Sequence, residues 1–232
     1  MSKIMRIKFT KLGDMKYISH LDVQRLFQRV FRRAEVRLSY SQGFNPHPKM
    51  SYGNALALGV ESHGEYVDIE IEDDISPELL VEKINNQLPE GMDFIKCVEI
   101  QTGVKSLAGN IEYGNYDFVI ENVDNFTKSE VSDKIDKILS LDMLNVTKKN
   151  KKGKLVEMDI IPMIKSLEVK SVEDDKITIN SIISTGSIKN LNTNVFLPKL
   201  IELLDISIDP LEVDVIRNDL YFVEQGELVS AI

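Results

Sequence analysis

The order in which the hydrophobic periodicity switches between two and 3.6 residues constrains the fold of this chain more than any other feature. Residues 3–11 alternate as a strand, and residues 20–36 carry an apolar stripe of helical spacing. Ser19 is suited to cap this helix, because its hydroxyl can accept a hydrogen bond from a backbone N–H of the first turn. Two strands, a second helix and a closing strand are indicated before residue 102. This order of strand, helix, strand, strand, helix and strand predicts a ferredoxin-like unit.

The rest of the chain predicts a second unit with the same order of strands and helices, although the two units share no convincing sequence identity. It begins with a strand near residue 116, and Thr127 with Glu130 three residues later predicts a capped helix. Pro198 interrupts the last helical pattern, so we expect it in the first turn of that helix or at a kink. The predicted class is α+β, with two tandem ferredoxin-like (βαββαβ) units. The predicted domains are a basic N-terminal domain at 1–102, which contains a proline-rich loop at 40–53, and an acidic C-terminal domain at 112–232.

The net charge of −9 averages two unlike parts of the chain. Residues 1–60 hold eleven Lys and Arg against three Asp and Glu, which gives +8, so the remainder carries −17. Arg25, Arg29 and Arg32 recur at helical spacing and form one exposed row on the first helix, with Arg33 beside it. This asymmetry indicates a polyanion-binding face, and the planar guanidinium group suits phosphate. A basic face that docks on the acidic remainder, or on an acidic partner protein, is the alternative.

The stretch YSQGFNPHPKMSYG at residues 40–53 predicts a stiff, extended loop. Pro46 and Pro48 remove two backbone donors, so neither a helix nor an inner strand can run through it. The loop is expected to project four side chains, those of Phe44, Asn45, His47 and Lys49. An aromatic ring can stack on a base, an amide can bind a base edge, and cationic groups can reach phosphates. The alternative is a purely structural turn.

The histidines are the candidates for acid–base chemistry. His20 and His47 could each act as a general acid or base at an RNA phosphate, although packing or capping is the commoner role at the position of His20. A metal site built from His20, His47, His63 and an acid such as Asp22 lacks any recognised ligand spacing. We therefore predict no metal and no cofactor in this chain, and a binding function ahead of an enzymatic one.

Several function classes are excluded or disfavoured by what the sequence lacks. Cys97 is the single cysteine, so the chain cannot form an internal disulfide or hold a thiolate cluster alone. There is no Walker loop, nucleophile elbow, zinc pattern or dinucleotide fingerprint. No apolar run reaches the ~18 residues needed to span a bilayer, and the N-terminal stretch does not resemble a signal peptide. We expect a cytoplasmic protein that makes no membrane contact.

Three motifs resemble one known bacterial family. They are S-H-L-D at 19–22, G-F-N-P-H-P-K at 43–49 and G-V-E-S-x-G-E-Y at 59–66. In that order and spacing the chain resembles the radical-SAM-linked domain family, over about residues 3–100. The resemblance implies an accessory to a radical S-adenosylmethionine enzyme that acts on RNA or a ribosomal component, and it supplies no catalytic residue. Glu61 and Glu65, in the last motif, either pair with arginines or contact a ligand.

These observations predict a module that binds RNA and presents it to the radical enzyme. Its nucleic-acid-binding residues are expected to be Arg25, Arg29, Arg32, Arg33, Phe44, Asn45, His47 and Lys49. A protein-docking scaffold for the radical enzyme is one alternative. A metal-independent RNA endonuclease, with His20 or His47 as the acid or base, is the other.

Overall fold

The computed structural model describes residues 2–101, 103–104, 106–149, 153–173 and 175–232. The chain forms two compact units, one from the residues up to Ile111 together with Arg217–Ile232, the other from Glu112–Ile216. The first unit therefore takes in a C-terminal segment that lies outside the range 1–102 predicted from the sequence. No helix in these described ranges is long and apolar enough to cross a membrane.

The first unit is built on an antiparallel sheet. Its strands and helices up to residue 111 are β1 (Lys3–Lys11), α1 (His20–Arg33), β2 (Met50–Tyr52), β3 (Glu61–Ile71), α2 (Pro77–Asn85), β4 (Phe94–Ile100) and α3 (Leu107–Asn110). Strand β1 pairs antiparallel with both β3 and β4, and β2 pairs antiparallel with β3. This arrangement leaves β1 in the middle, where Met5, Ile7 and Phe9 enter the core on one face and Arg6 and Lys8 form ion pairs on the other.

Helices α1 and α2 cover one face of this sheet. Ser19 caps α1 as predicted, because its Oγ accepts a hydrogen bond from the Asp22 backbone N–H at 3.2 Å. The apolar stripe of α1 packs against inward-facing residues of β1, such as Ile7 and Phe9, and the Phe9 and Phe27 rings meet edge to face at 5.0 Å. Burying an aromatic side chain of this kind stabilises the fold by about 1.5–3 kcal/mol.

The opposite face of the sheet carries a smaller core and several charged side chains. The apolar members of this core are Tyr66, Leu107, Ile111, Leu220, Phe222 and Ala231. Beside them, Arg6 makes a bidentate ion pair with Asp68, with N–O distances of 2.8 and 2.9 Å. Arg6 also donates a hydrogen bond to the backbone oxygen of Ala231. The C-terminal residues are thus held to the first unit by apolar and polar contacts together.

The second unit combines antiparallel strands with two helices. Its elements, and the two strands that follow it along the chain, are β5 (Tyr113–Glu121), α4 (Lys128–Leu139), β6 (Asn145–Lys149), β7 (Leu155–Asp159), β8 (Ile164–Glu173), β9 (Lys176–Ser184), α5 (Thr193–Leu204), β10 (Asp214–Glu224) and β11 (Glu227–Ser230). Strand β9 pairs antiparallel with β5 and β8, while β6 and β7 form a separate hairpin. Five helices and mostly antiparallel strands in the described ranges agree with the predicted α+β class.

The predictions made from local sequence patterns in the second unit are partly correct. The predicted capping box is present, since Thr127 Oγ1 accepts from the Glu130 backbone N–H and the Glu130 side chain accepts from the Thr127 N–H. Of the two places expected for Pro198, the first turn of its helix is excluded, because α5 begins at Thr193 and contains Pro198 in its interior. The tip of the hairpin at 150–152 lies outside the described residues.

Candidate nucleic-acid interface and the His20 cavity

The outer side of α1 presents the predicted arginine row. Arg25, Arg29, Arg32 and Arg33 are all exposed. Arg25 forms an ion pair with Asp22 at 3.3 Å, and Arg33 donates a 2.6 Å hydrogen bond to the backbone oxygen of Gln87. Both contacts lie at the surface, where water and salt weaken them. The four guanidinium groups are therefore accessible to an external anion.

The proline-rich loop is closed at its base by hydrogen bonds. Tyr40 and Pro48 form an isolated antiparallel bridge. The Ser41 backbone N–H donates to the His47 oxygen at 2.9 Å, and the His47 N–H donates back to Ser41 Oγ at 3.0 Å. Phe44 lies between these anchors and is fully exposed, at 107% of its reference area. A closed loop that holds an aromatic ring in water is unusual, because burial of that ring would be favourable.

The remaining predicted contacts differ in how accessible they are. Asn45 and His47 are exposed on the same loop as Phe44. Lys49 is already paired, with its Nζ 2.9 Å from a carboxylate oxygen of Glu70. Hydrogen bonds from Ser2 and Lys49 lower the pKa of Glu70, so this carboxylate is charged at neutral pH. A phosphate would have to compete with Glu70 for Lys49, so we place Lys49 at the margin of the candidate interface.

The two candidate histidines do not share a site. His47 is exposed on the loop, whereas His20, at the start of α1, is half-buried and lines a small cavity of about 20 Å³. The His20 ring contacts the Tyr52 ring edge to face, at 5.2 Å between centroids, and its Nε2 lies 2.9 Å from Gln24 Nε2. Burial lowers the pKa of His20 from its usual value, and nearby Glu65 partly opposes this effect. His20 is therefore neutral at physiological pH.

Charged side chains lie near His20 in the first unit. Lys11, Glu65 and Arg217 are 4%, 7% and 3% exposed, respectively. Arg217 Nη1 donates to both oxygens of Glu65, at 2.9 and 3.1 Å, and Ser62 Oγ donates to Glu65 at 2.7 Å. The sequence had left open whether Glu65 pairs with an arginine or contacts a ligand. It does pair with an arginine, although with one from the far end of the chain.

Two polar groups of the cavity are poorly satisfied. Among the described residues, the sole hydrogen-bond acceptor of Lys11 Nζ is the Lys16 backbone oxygen, at a long 3.4 Å. Burial lowers the pKa of the Lys11 ammonium, while Glu65 raises it and Arg217 lowers it further. The Tyr52 hydroxyl is buried and has no hydrogen-bond partner in the described part of the chain. Lys11 and Tyr52 are both among the residues that line the cavity that His20 borders.

Metal-ligating and nucleophilic side chains are sparse around the candidate site. Within the described ranges, no three His, Cys, Asp or Glu side chains are grouped as metal ligands would be, and the absence of a metal stays a prediction. The single thiol, Cys97, is half-buried, and its burial raises its pKa to about 12. A thiol with so high a pKa carries almost no thiolate at neutral pH and is a poor nucleophile.

Comparison with known proteins gives one family. The sequence profile described as "Uncharacterized protein conserved in bacteria (DUF2344)" matches residues 5–193. The chain belongs to this family. The DUF2344 match includes the arginine row, the proline-rich loop and the cavity residues Lys11, His20, Tyr52 and Glu65. Arg217 lies beyond it.

Other comparisons add no functional information about this DUF2344 chain. A search of curated proteins found no match. A crystal structure of an unknown protein from Galdieria sulphuraria is 7% identical, covers 97% of this chain and 100% of its own, and has a TM-score of 0.27. A "putative dyp-type peroxidase protein" from Shewanella oneidensis is 8% identical over 87% of this chain and 82% of its own, with a TM-score of 0.23. Similarities this weak carry no argument about fold or activity.

The sequence of this DUF2344 chain did not single out Lys11, Tyr52 and Arg217. One signal for Lys11 was present, because it continues the β1 alternation of Met5, Ile7 and Phe9 and so occupies a core-facing position. A charged side chain at such a position requires a buried partner. Arg217 is the one arginine after residue 37, but its contact with Glu65 is a long-range feature that no local pattern predicts.

Proposed function

We propose that this chain is a non-enzymatic module that binds RNA, or an RNA-containing ribosomal component, for a partner radical S-adenosylmethionine enzyme. The observation that carries the proposal is the full exposure of Phe44 on a closed loop, in the same unit as an exposed arginine row. Stacking of a base on an aromatic ring and neutralisation of phosphates by arginine are the two interactions that bind single-stranded RNA most strongly. The partner enzyme is proposed from the motifs at 19–22, 43–49 and 59–66.

The proposed binding mode assigns a role to each exposed side chain. Arg25, Arg29, Arg32 and Arg33 neutralise phosphates, and their planar groups allow bidentate contacts. On the loop, Phe44 stacks on an unpaired base and Asn45 binds a base edge. His47 and Lys49 contact the phosphates of the RNA backbone. The hydrogen bonds that close the loop limit the conformational entropy lost on binding.

We further propose that the two units are ferredoxin-like. In the first unit the order β1-α1-β2-β3-α2-β4, with β1 between β3 and β4 and β2 beside β3, supports this. In the second unit the support is the order β5-α4-β8-β9-α5, with β9 between β5 and β8, and β10 follows along the chain. Sheets of this kind commonly serve as platforms for single-stranded RNA.

Retention of total cellular RNA by the purified chain tests the proposal. We expect the wild type to retain RNA at low salt, and the Arg25→Ala/Arg29→Ala variant to lose most of it. The matched control is Lys128→Ala/Lys137→Ala, which removes two exposed positive charges from α4 in the acidic unit. Equal RNA retention by all three proteins, or none by the wild type, would contradict RNA binding by the arginine row.

Docking of the same surface on an acidic face of the radical enzyme is a second candidate function. The exposed Phe44 and the arginine row favour it as well, since Arg and aromatic side chains dominate protein interfaces. Co-purification of the radical enzyme with the wild type but not with Arg25→Ala/Arg29→Ala, without RNA retention, would support docking instead.

Metal-independent RNA cleavage is the remaining candidate. It is favoured by one observation, which is that His20 shares a cavity with Lys11 and Tyr52. A neutral imidazole can accept the proton of a 2′-hydroxyl, and an ammonium can stabilise the phosphorane-like transition state. Cleavage of RNA in the presence of a chelator, lost in His20→Ala and kept in His47→Ala, would establish this activity.

A further inference from the structure

A groove of the first unit lies on the face of the sheet that α1 does not cover. Its volume is about 330 Å³, which reaches the range of about 300–1,000 Å³ typical of small-molecule sites. Ile4, Ser51 and Asp68 line it from the sheet, and Val104 lines it from the stretch after β4. Ile4 alternates with Met5, which packs under the helices, so the groove opens on the opposite face. It is therefore separate from the arginine row.

The apolar side chains of the groove suit a flat ligand. Ile4 of β1 and Ile100 of β4 are paired across the two strands and half-buried, and Val104 is 48% exposed. A ligand that contacts these side chains removes apolar surface from water, which is favourable. A nucleobase has two apolar faces, and it can lie between the sheet and Val104 with one face toward each.

Two carboxylates provide hydrogen-bond acceptors in the groove. The side chains of Asp68 and Glu70 are 11% and 20% exposed, so a ligand can reach both. Glu70 already accepts from Lys49 and Ser2. Asp68 accepts one hydrogen bond from Arg6 on each oxygen. Because a carboxylate has about four acceptor positions, Asp68 can also accept from a ligand.

The charges at the groove favour an uncharged ligand. Asp68 is paired with Arg6, and Glu70 is paired with Lys49. Neither a cation nor an anion would therefore find an unpaired opposite charge among these four side chains. An uncharged N–H donor needs no counter-ion and still bonds to Asp68. Adenine, cytosine and guanine carry such a donor in their exocyclic amino groups, and carboxylates accept from cytosine N4, whereas uracil has no amino group.

A neighbouring groove connects this one to the proline-rich loop. It has a volume of about 320 Å³ and shares Lys49 and Glu70 with the first groove. Tyr40, which is 47% exposed, and Gln42 line it, and both belong to the loop that carries Phe44. An RNA strand with one base stacked on Phe44 can therefore continue past Tyr40 and place a later base in the first groove.

We infer that the 330 Å³ groove is a nucleobase site. Asp68 accepts a hydrogen bond from the amino group of adenine, cytosine or guanine, and Ile4, Ile100 and Val104 contact the faces of the ring. The base can belong to a free nucleoside or to single-stranded RNA, since both present the same ring. If it belongs to RNA, the site rests on the proposed function and adds selectivity, because the arginine row binds phosphates without distinguishing the bases.

The test is titration of the full chain with cytidine and, separately, with uridine, followed by NMR of the isotope-labelled protein. The two nucleosides have the same sugar and ring size, and only cytidine carries the amino group. We expect cytidine to bind at least about tenfold more tightly than uridine, as for one selective contact to a base edge. Equal affinities for the two nucleosides, or no binding of cytidine, would overturn the site.

The variant Ser51→Tyr tests where the nucleoside binds. Ser51 is exposed and is paired with Asp68 across β2 and β3, so a tyrosine ring there would occupy the groove. We expect cytidine binding to weaken at least about tenfold, without a change in Tm. The matched control is Ser129→Tyr, which adds the same ring at an exposed position of α4. Asp68→Asn alone would not suffice, because it also removes the partner of the buried Arg6.

A short RNA of cytosines identifies the source of the base. If Ser51→Tyr weakens the binding of both this RNA and cytidine, the site binds a base of an RNA strand. If it weakens the binding of cytidine alone, the ligand is a free nucleoside. If it changes neither, the nucleobase site is wrong. RNA binding lost in Arg25→Ala/Arg29→Ala but unchanged in Ser51→Tyr, without any binding of cytidine, would leave the proposed function intact and overturn this site alone.

Discussion

Glu65 and Arg217 lie 152 residues apart in the chain and form a buried ion pair, with Arg217 Nη1 2.9 Å from Glu65 Oε1. Glu65 is also the carboxylate that acts on the buried Lys11. We predict that Glu65→Gln lowers the free energy of unfolding by about 3–5 kcal/mol, because it removes the carboxylate that pairs with the buried Arg217 and acts on the buried Lys11. Urea denaturation monitored by circular dichroism measures the change.

The partner variant Arg217→Met provides the comparison. It leaves the Glu65 carboxylate to act on the buried Lys11, and we expect a smaller loss of stability than for Glu65→Gln. A loss that is equal or larger for Arg217→Met would show that Lys11 does not interact with Glu65 in the folded protein.

Tyr66 and Tyr52 of the first unit should respond in opposite ways to removal of their hydroxyl groups. Tyr66 donates a 2.5 Å hydrogen bond to Asp219, so Tyr66→Phe should lower the free energy of unfolding by about 1.5–3 kcal/mol. The Tyr52 hydroxyl has no hydrogen-bond partner in the described part of the chain. We therefore expect Tyr52→Phe to raise the free energy of unfolding by about 1 kcal/mol. Chemical denaturation tests both, and a destabilising Tyr52→Phe would mean that an unseen group satisfies the hydroxyl.

Protonation of His20 should make stability depend on pH. Burial lowers the pKa of His20 in the folded protein below its usual 6.5, so the unfolded state binds more protons as the pH falls through that value. The free energy of unfolding should therefore decrease as the pH falls from about 7.5 to about 5.5. In His20→Phe this part of the decrease should disappear, and a constant difference between the two proteins over this range would contradict the prediction.

Phe44 should matter for RNA binding and not for stability. Its ring is fully exposed, so Phe44→Ala should leave Tm unchanged while it weakens binding of single-stranded RNA by about 1–3 kcal/mol, the contribution of one stacked base. Ile188→Ala is the matched control, since Ile188 is 96% exposed and lies in the acidic unit. Equal effects of the two substitutions on RNA affinity would exclude stacking on Phe44.

Features encoded within a few residues of sequence were predictable. The helix starts at Ser19 and Thr127 are both capped as expected, because each hydroxyl accepts from a backbone N–H three residues later. The alternation of residues 3–11 correctly predicted strand β1. Each of these features depends on local hydrogen bonding or periodicity, which a single sequence displays directly.

Features that depend on long-range packing were not predictable. The cavity joins Lys11 of β1, His20 of α1, Tyr52 of β2 and Glu65 of β3, and the sequence contains no measure of their separation. The return of Arg217 to the first unit, and the pairing of Lys49 with Glu70, likewise follow only from the folded arrangement. The exposed loop side chains were easier to predict, because Pro46 and Pro48 exclude regular structure around them.

The dependence of RNA affinity on salt tests the central claim most directly. Association constants for a short single-stranded RNA would be measured over a series of salt concentrations, for the wild type and for Arg25→Ala/Arg29→Ala. We predict that the affinity of the wild type falls with salt and that the slope of log K against log[salt] is shallower by about 1.4 in the variant, as for two lost phosphate contacts. Identical slopes, with Lys128→Ala/Lys137→Ala equal to both, would contradict phosphate binding by the arginine row.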